Sequence, residues 1–273
     1  MHTIAFLNQK GGVGKTSTCY HLSGTYSLAG RRVLLLDLDP QSSLTQGFFG
    51  PAVARAIAPG KTVAALFAGE RPFPEEVIRP TGIAGVDILP GSRHATDFNI
   101  PRPWGAPADQ QTCVRDFLGE VTGQYEMVLV DCPPNLHLCS WAALVAAGSV
   151  VVPLQPEDFG AQGLVDVQES VARVRAGANP EVHILGFLPT MVNARLTVHQ
   201  QYIAMLGTIY GPAVFSGVMP ISADFKESLT GRKPVGFYKP RGVAAKAMKA
   251  IGAEIDGRLA RGNVAASDEG VAA

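Results

Sequence analysis

Short, uninterrupted apolar runs alternate along this chain with longer stretches in which apolar and polar positions recur every three or four residues. Residues 3–8 form one such run, ending at a glycine-rich turn, and residues 32–37 (Arg-Val-Leu-Leu-Leu-Asp), 86–90, 126–131, 149–154 and 182–188 repeat it. Apolar runs of this length without polar alternation predict strands buried on both faces. The spacing predicts a helix from Lys15 to about Ala29, stopped by Gly30, and another over 243–260, where Ala, Met, Ile and Leu recur at helical steps. Six or so strands separated by helices imply an α/β fold, doubly wound around a mostly parallel sheet with helices on both faces. The stretch 48–111 is richer in proline and glycine and predicts surface excursions, so residues 1–261 are expected to form one domain. Residues 262–273 are small and polar and predict a disordered tail.

Composition narrows the class. The chain has 273 residues, is 47% hydrophobic and only 17% charged, which suits a sheet covered on both faces. Its four cysteines lie apart with no C-x-x-C pair, against both a structural zinc site and a disulfide framework, and a reducing cytoplasm is expected. The six histidines show no ligand spacing. No signal peptide is expected, and the longest apolar stretch, 142–154, is too short to span a bilayer and is broken by Ser149 and Pro153. Formal net charge is zero, yet between Asp224 and Arg261 nine basic residues oppose four acidic ones, a local excess of five positive charges. A neutral chain with one basic end can bind a polyanion locally.

The most specific chemistry is at residues 8–17, Asn-Gln-Lys-Gly-Gly-Val-Gly-Lys-Thr-Ser, between a predicted strand and a predicted helix. This is a phosphate-binding loop. Gly11, Gly12 and Gly14, with Val13 between them, let backbone N–H groups converge on an anion, and the helix beginning near Lys15 aims its positive end at it. Lys15 is expected on the β- and γ-phosphates of ATP, the Thr16 hydroxyl on Mg²⁺, and Ser17 near the α-phosphate. Gln9 stands where the common motif has glycine, and a second lysine, Lys10, follows it. A lysine at the mouth of the loop cannot easily fold back onto phosphates the loop already wraps, and is better placed to reach a nucleotide held by a second subunit. Asp37 and Asp39, two residues apart at the end of a buried strand, point the same way at the carboxyl edge of the sheet. Asp131 closes another apolar strand, as expected of an acid close to Mg²⁺ in a phosphate-loop enzyme. Pro133 and Pro134 stiffen the loop that follows, and Cys132 reads as a small buried residue.

Three motifs in order, Lys10-Gly-Gly-Val-Gly-Lys-Thr16, Asp37-Leu-Asp-Pro-Gln41 and Val128-Leu-Val-Asp-Cys-Pro-Pro134, resemble the deviant P-loop ATPases of the ParA/MinD class, most closely the ParA/Soj partition ATPases. The likeness extends through Val152-Pro-Leu-Gln155, 186–191, Lys233-Pro-Val and Pro240-Arg241. It implies a P-loop NTPase fold and an ATP-dependent homodimer sandwiching two nucleotides, with Lys10 contacting the partner's phosphates. It further implies that Asp37 lies near Mg²⁺ and a switch, that Asp39 positions the attacking water, and that Pro220 lies at the adenine pocket.

The resemblance also implies non-specific DNA binding through basic residues of the C-terminal half. Arg195 falls where the family has such an arginine, and Lys226, Arg232, Lys239, Lys246 and Lys249 are further candidates. Lys233 and Arg241 are expected to be structural, and Asp224 departs from the family, which often has arginine in this segment. An adaptor or centromere-binding partner of ParB type, a chromosome, plasmid or protein-assembly cargo, and a cytoplasmic, nucleoid-associated location are implied. The alternative, a MinD-like membrane-associated ATPase for division-site placement, needs a C-terminal amphipathic helix with bulky apolar residues, and residues 261–273 lack it. An iron–sulfur reductase component would need cysteines in glycine-rich loops, and a metabolic ligase would lack Lys10. With the loop beginning near residue 10, no N-terminal operator-binding domain is expected.

Overall fold

The computed structural model describes residues 1–156 and 161–269. Seven strands form one sheet: β1 (His2–Phe6), β2 (Val33–Asp37), β3 (Arg79–Pro80), β4 (Val86–Leu89), β5 (Met127–Asp131), β6 (Ser149–Leu154) and β7 (His183–Pro189). Their order is β3-β4-β2-β5-β1-β6-β7, parallel throughout except for β3 against β4. The predicted apolar runs are the six parallel strands, with ends shifted by a residue or two. The two-residue edge strand β3 carries no period of its own, and its Pro80 is tolerated because an edge has one unpaired side.

Alternation along each strand sorts its side chains onto two faces. Ile4, Phe6, Val33, Leu35, Met127 and Leu129 enter one core, while Ala5, Leu34, Leu36, Val128 and Val130 enter the other. On the first face lie the helix Lys15–Leu28 and the C-terminal helices Ala223–Thr230, Val235–Tyr238 and Val243–Glu269, which contribute Leu22, Phe225, Val235 and Met248. On the second lie Ala108–Glu120, Leu138–Ala146 and Ala161–Arg175, which contribute Phe117, Ala142 and Val167. Covering both faces explains why β2, β5 and β6 are buried along their whole length. Gly30 (φ 81°) ends the first helix one residue past its cap at Ala29, where the sequence placed the stop.

The chain first winds from β1 out to β2 and β4, returns with β5 between β2 and β1, and then continues to β6 and β7 on the other side. The direction of winding reverses at β1, and the crevice at the carboxyl ends beside it is where such sheets hold ligands. The last helix runs over Val243–Glu269, past residue 262, where the sequence predicts the tail to begin. Residues 270–273 of that predicted tail lie outside the described residues.

Leu35 is fully buried at the centre of β2. Leu35→Ala is expected to cost about 2–5 kcal/mol, read as a lower urea midpoint with an unchanged slope.

Candidate functional site

The glycine-rich loop leaves β1 at Phe6 and is anchored from three sides before it reaches the helix. Asn8 is buried; its Nδ2 donates to the Pro153 carbonyl at 2.7 Å, and its Oδ1 accepts from the Lys10 backbone N–H at 3.0 Å. The Thr190 hydroxyl, just past β7, is 2.7 Å from the Val13 carbonyl and 3.0 Å from that of Leu154. Gly12 (φ 77°) and Gly14 (φ 89°) adopt left-handed conformations that side-chain-bearing residues rarely take. Gly14 caps the 14-residue helix and no side chain accepts from its first N–H groups. A loop closed in this way leaves a ring of N–H donors at the positive end of a helix, an anion site by construction.

Lys15 opens that helix yet is only 6% exposed. Its ammonium donates to the carbonyls of Asn8 and Lys10, each at 3.0 Å, so it spans the loop from inside. Burial lowers its pKa, and the nearby Asp131 carboxyl pulls the other way. Thr16 and Ser17 follow, both half-buried, and Lys10 is exposed at the mouth.

Two acids act on this cation, Asp131 and Asp39, and a third, Asp37, pairs with Asp131. Asp37 and Asp131 end neighbouring strands and pair directly in register, and both are fully buried. Asp37 Oδ2 accepts from the Thr45 N–H at 2.8 Å and from its hydroxyl at 2.6 Å, whereas Asp37 Oδ1 has no partner. Burial pushes the Asp37 carboxyl up to about 7, the Thr45 hydrogen bonds working against that and the charge of Asp39 with it. Asp131 is pushed well above the ordinary carboxylate range by burial and by Asp37. The Thr16 hydroxyl opposes the shift, but neither Asp131 oxygen has a hydrogen bond of good geometry. Asp39 sits half-buried just beyond β2; its Oδ1 accepts from the Gln41 N–H at 2.9 Å, and burial raises its pKa while Lys15 lowers it.

Three orphaned carboxylate oxygens beside a threonine hydroxyl are an oxygen-only donor set of the kind a hard divalent cation takes. Among the described residues no group of three or more His, Cys, Asp or Glu could hold a metal unaided. A cation here therefore needs phosphate oxygens to complete its shell, which fits Mg²⁺ delivered with a nucleotide.

Of the remaining residues singled out in the sequence, Pro220 is half-buried and pairs with Val192 in an isolated bridge, one residue after Met219, whose sulfur lies 3.8 Å from the Thr18 hydroxyl on the first turns of the loop helix. Cys132 is fully buried with its thiol pKa well raised, a packing residue. The basic candidates divide. Arg195 is exposed in the loop after β7, and Lys226, Lys246 and Lys249 are exposed on the C-terminal helices. Lys239 instead forms a 2.7 Å ion pair with Asp224, and the Arg232 guanidinium packs on Gly50, where a Cβ would meet it at 2.3 Å. Lys233 and Arg241, expected to be structural, are exposed and outside every ion pair among the described residues. Arg258 is the anchored one: it pairs with Glu254 at 2.8 Å and donates to the carbonyls of Leu185, Ala213 and Val214.

Sequence reasoning missed Thr45, Gly91 and Thr190 as parts of the site. The Gly91 N–H donates to Thr45 Oγ1 at 2.8 Å, and a Cβ on Gly91 would stand 2.7 Å from Asp37 Cγ, so only glycine lets that loop close on the acid. The one available signal was a glycine directly after a predicted strand. An ordinary threonine on a helix carries none.

The Asp37 shift has a definite pH signature. Burial carries its carboxyl from an ordinary value near 3.8 in the unfolded chain up to about 7 in the fold. The fold therefore binds the proton more tightly, and this contribution to stability is complete below about pH 4 and lost as pH rises towards 7. Asp37→Asn is expected to flatten the fall in urea midpoint across that window; an unchanged slope would place the burial cost elsewhere.

A family described as AAA domain matches residues 1–184. The chain is 31% identical to the chromosome-partitioning ATPase Soj of Treponema pallidum, over 94% of this chain and 97% of that one. It is 34% identical to the Soj of Thermus thermophilus, over 94% and 96%. Among solved structures, cobyrinic acid a,c-diamide synthase from Mycobacterium smegmatis with bound ADP and magnesium superposes with a TM-score of 0.73 at 25% identity, covering 88% of this chain and 97% of that one. With a phosphate loop, a buried lysine and paired strand-end acids in place, the chain belongs to the ParA/Soj family of partition ATPases, P-loop enzymes that hydrolyse ATP.

Proposed function

We propose that this chain binds ATP with Mg²⁺ at the 10–17 loop, dimerises face to face around two nucleotides, and in that form holds DNA without sequence preference to move a cargo. The observation that carries the reading is the convergence at one sheet edge of the Lys15 ammonium, the Thr16 hydroxyl and the buried Asp37–Asp131 pair with its orphaned oxygens. Thr16 would hold Mg²⁺ with Asp37 and Asp131 around it, and the bound ion would neutralise phosphate charge. Gly11, Gly12, Val13, Gly14 and Ser17 line the phosphates, and Pro220 borders the base. Lys15 exchanges its two carbonyl partners for the β- and γ-phosphate oxygens. The Asp39 carboxylate, held by the Gln41 N–H, accepts a hydrogen bond from the attacking water and aligns it with the phosphoanhydride bond. Lys10, exposed at the mouth, reaches the second subunit's triphosphate and offsets charge growing there in the transition state.

Dimerisation would join two basic surfaces, and DNA affinity rises steeply with the number of phosphates neutralised. Arg195, Lys226, Lys246 and Lys249 support this reading most directly, because their side chains are exposed. Arg232 and Lys239 contribute less, each being already engaged by the protein. No helix among the described residues is long and apolar enough to cross a membrane. An adaptor of ParB type that stimulates turnover, and a nucleoid-associated life in the cytoplasm, complete the proposal.

Lys15→Ala is expected to abolish ATP binding. Asp39→Ala should keep ATP binding and sediment as a dimer, with turnover reduced about 100-fold or more; normal turnover would remove Asp39 from its role. Arg195→Glu should leave the ATP dimer intact and weaken DNA retention, the log–log salt slope becoming shallower by about 1 per subunit. If sedimentation with a non-hydrolysable analogue and Mg²⁺ finds monomers only, the two-subunit mechanism fails.

A further inference from the structure

A cavity of about 450 Å³ opens beside residues 40–42, in the loop that follows β2. Its walls come from Gln41 and Ser42, from Arg55 on the helix Pro51–Ala56, and from the turn after β4 that carries Ser92, Arg93 and His94. No aspartate or glutamate lines it. Arg55, Arg93 and His94 are exposed, and neither arginine is in an ion pair among the described residues. In a chain whose formal charge is zero, two guanidiniums without an ion-pair partner among the described residues, on the wall of one cavity, make a local positive field. The Ser92 hydroxyl oxygen already accepts from the His94 N–H at 3.2 Å, which leaves its proton to donate.

We propose that this cavity is a second anion site, distinct from the ATP loop, which takes the linked phosphate groups of a polyphosphorylated ligand. Guanidinium groups match phosphate oxygens in paired, charge-assisted hydrogen bonds, which point ammonium charges cannot reproduce. The volume falls within the range of small-molecule sites and exceeds what one phosphate fills, so the ligand carries two or more. Such a ligand would act on catalysis through the backbone. Gln41 and Ser42 line the cavity, and their N–H groups donate to Asp39 Oδ1 at 2.9 Å and to the Asp39 carbonyl at 2.8 Å. Gly91, also on the wall, donates to Thr45, which in turn holds Asp37. The site thus touches the loops that position both acids, and regulation of turnover is its natural consequence. It does not depend on the DNA-partition reading.

The test titrates inorganic tripolyphosphate, without divalent cation, into the full Lys15→Ala chain by calorimetry, so that the ATP loop competes little. One tripolyphosphate per chain is expected. Adding Arg55→Ser and Arg93→Ser should weaken it about tenfold or more, whereas Lys246→Ser with Lys249→Ser, an equal loss of charge, should leave it within about twofold. No binding, or equal weakening by both pairs, overturns the proposal. Should Lys15→Ala fold poorly by circular dichroism, the same titration on the wild-type chain saturated with a non-hydrolysable ATP analogue carries the same expectations. Competition with a short DNA duplex identifies the source. Displacement assigns the site to a nucleic-acid backbone, and persistence of tripolyphosphate binding assigns it to a free polyphosphorylated molecule.

Discussion

Two carboxylates side by side and out of water are the constraint around which this site is organised. Asp37 and Asp131 end adjacent strands in register, at the roughly 4.8 Å strand spacing. Were both charged, their repulsion at that distance would be about 3 kcal/mol in a medium of effective dielectric ~20, a sizeable part of a domain's usual 5–15 kcal/mol. The nucleotide-free fold relieves this in three ways. Thr45 gives Asp37 two short hydrogen bonds, the buried Lys15 sets an ammonium opposite Asp131, and the carboxyls hold their protons to higher pH. A protein that only needed stability would have apolar residues at both positions. The pair makes chemical sense as a standing demand for positive charge, which a divalent cation would meet.

The same demand explains the second ring of contacts. Gly91 approaches Asp37 so closely that no side chain fits between them, and it shares Thr45 with that acid. Through these contacts the turn after β4, the loop after β2 and the end of β5 form one connected body. Movement of any of them changes the surroundings of both carboxylates, which is what a nucleotide-sensing switch requires. The cavity lined by Arg55 and Arg93 shares Gln41, Ser42 and Gly91 with this body and sets charge of the opposite sign beside it.

At the basic end, not every cation is available to a ligand. Arg258 is spent on holding the last helix to the 213–214 backbone, and Lys239 on Asp224. Asp224, unexpected in this segment by family likeness, has a structural purpose: it neutralises that lysine, and its backbone N–H is capped by Ser222. Each of these ion pairs removes one acid with one base, so the local excess of five positive charges stays and rests on the other basic residues, Lys233 and Arg241 among them.

Much of the fold and the heart of the site were legible in the residues alone. Unbroken apolar runs predicted six parallel strands because burial on both faces leaves no polar alternation, and the glycine pattern predicted the phosphate loop because only that spacing frees enough N–H groups. Lys15, Thr16, Asp37, Asp39 and Asp131 followed from their places at strand and helix ends. Strand order, the meeting of Asp37 with Asp131, and the recruitment of Thr45, Gly91 and Thr190 were decided only in three dimensions. These depend on which strands become neighbours, and the residues concerned lie 8 to 177 positions from the groups they serve. Local pattern reports what a residue does to its own backbone. Which distant side chain it will complete is settled by packing.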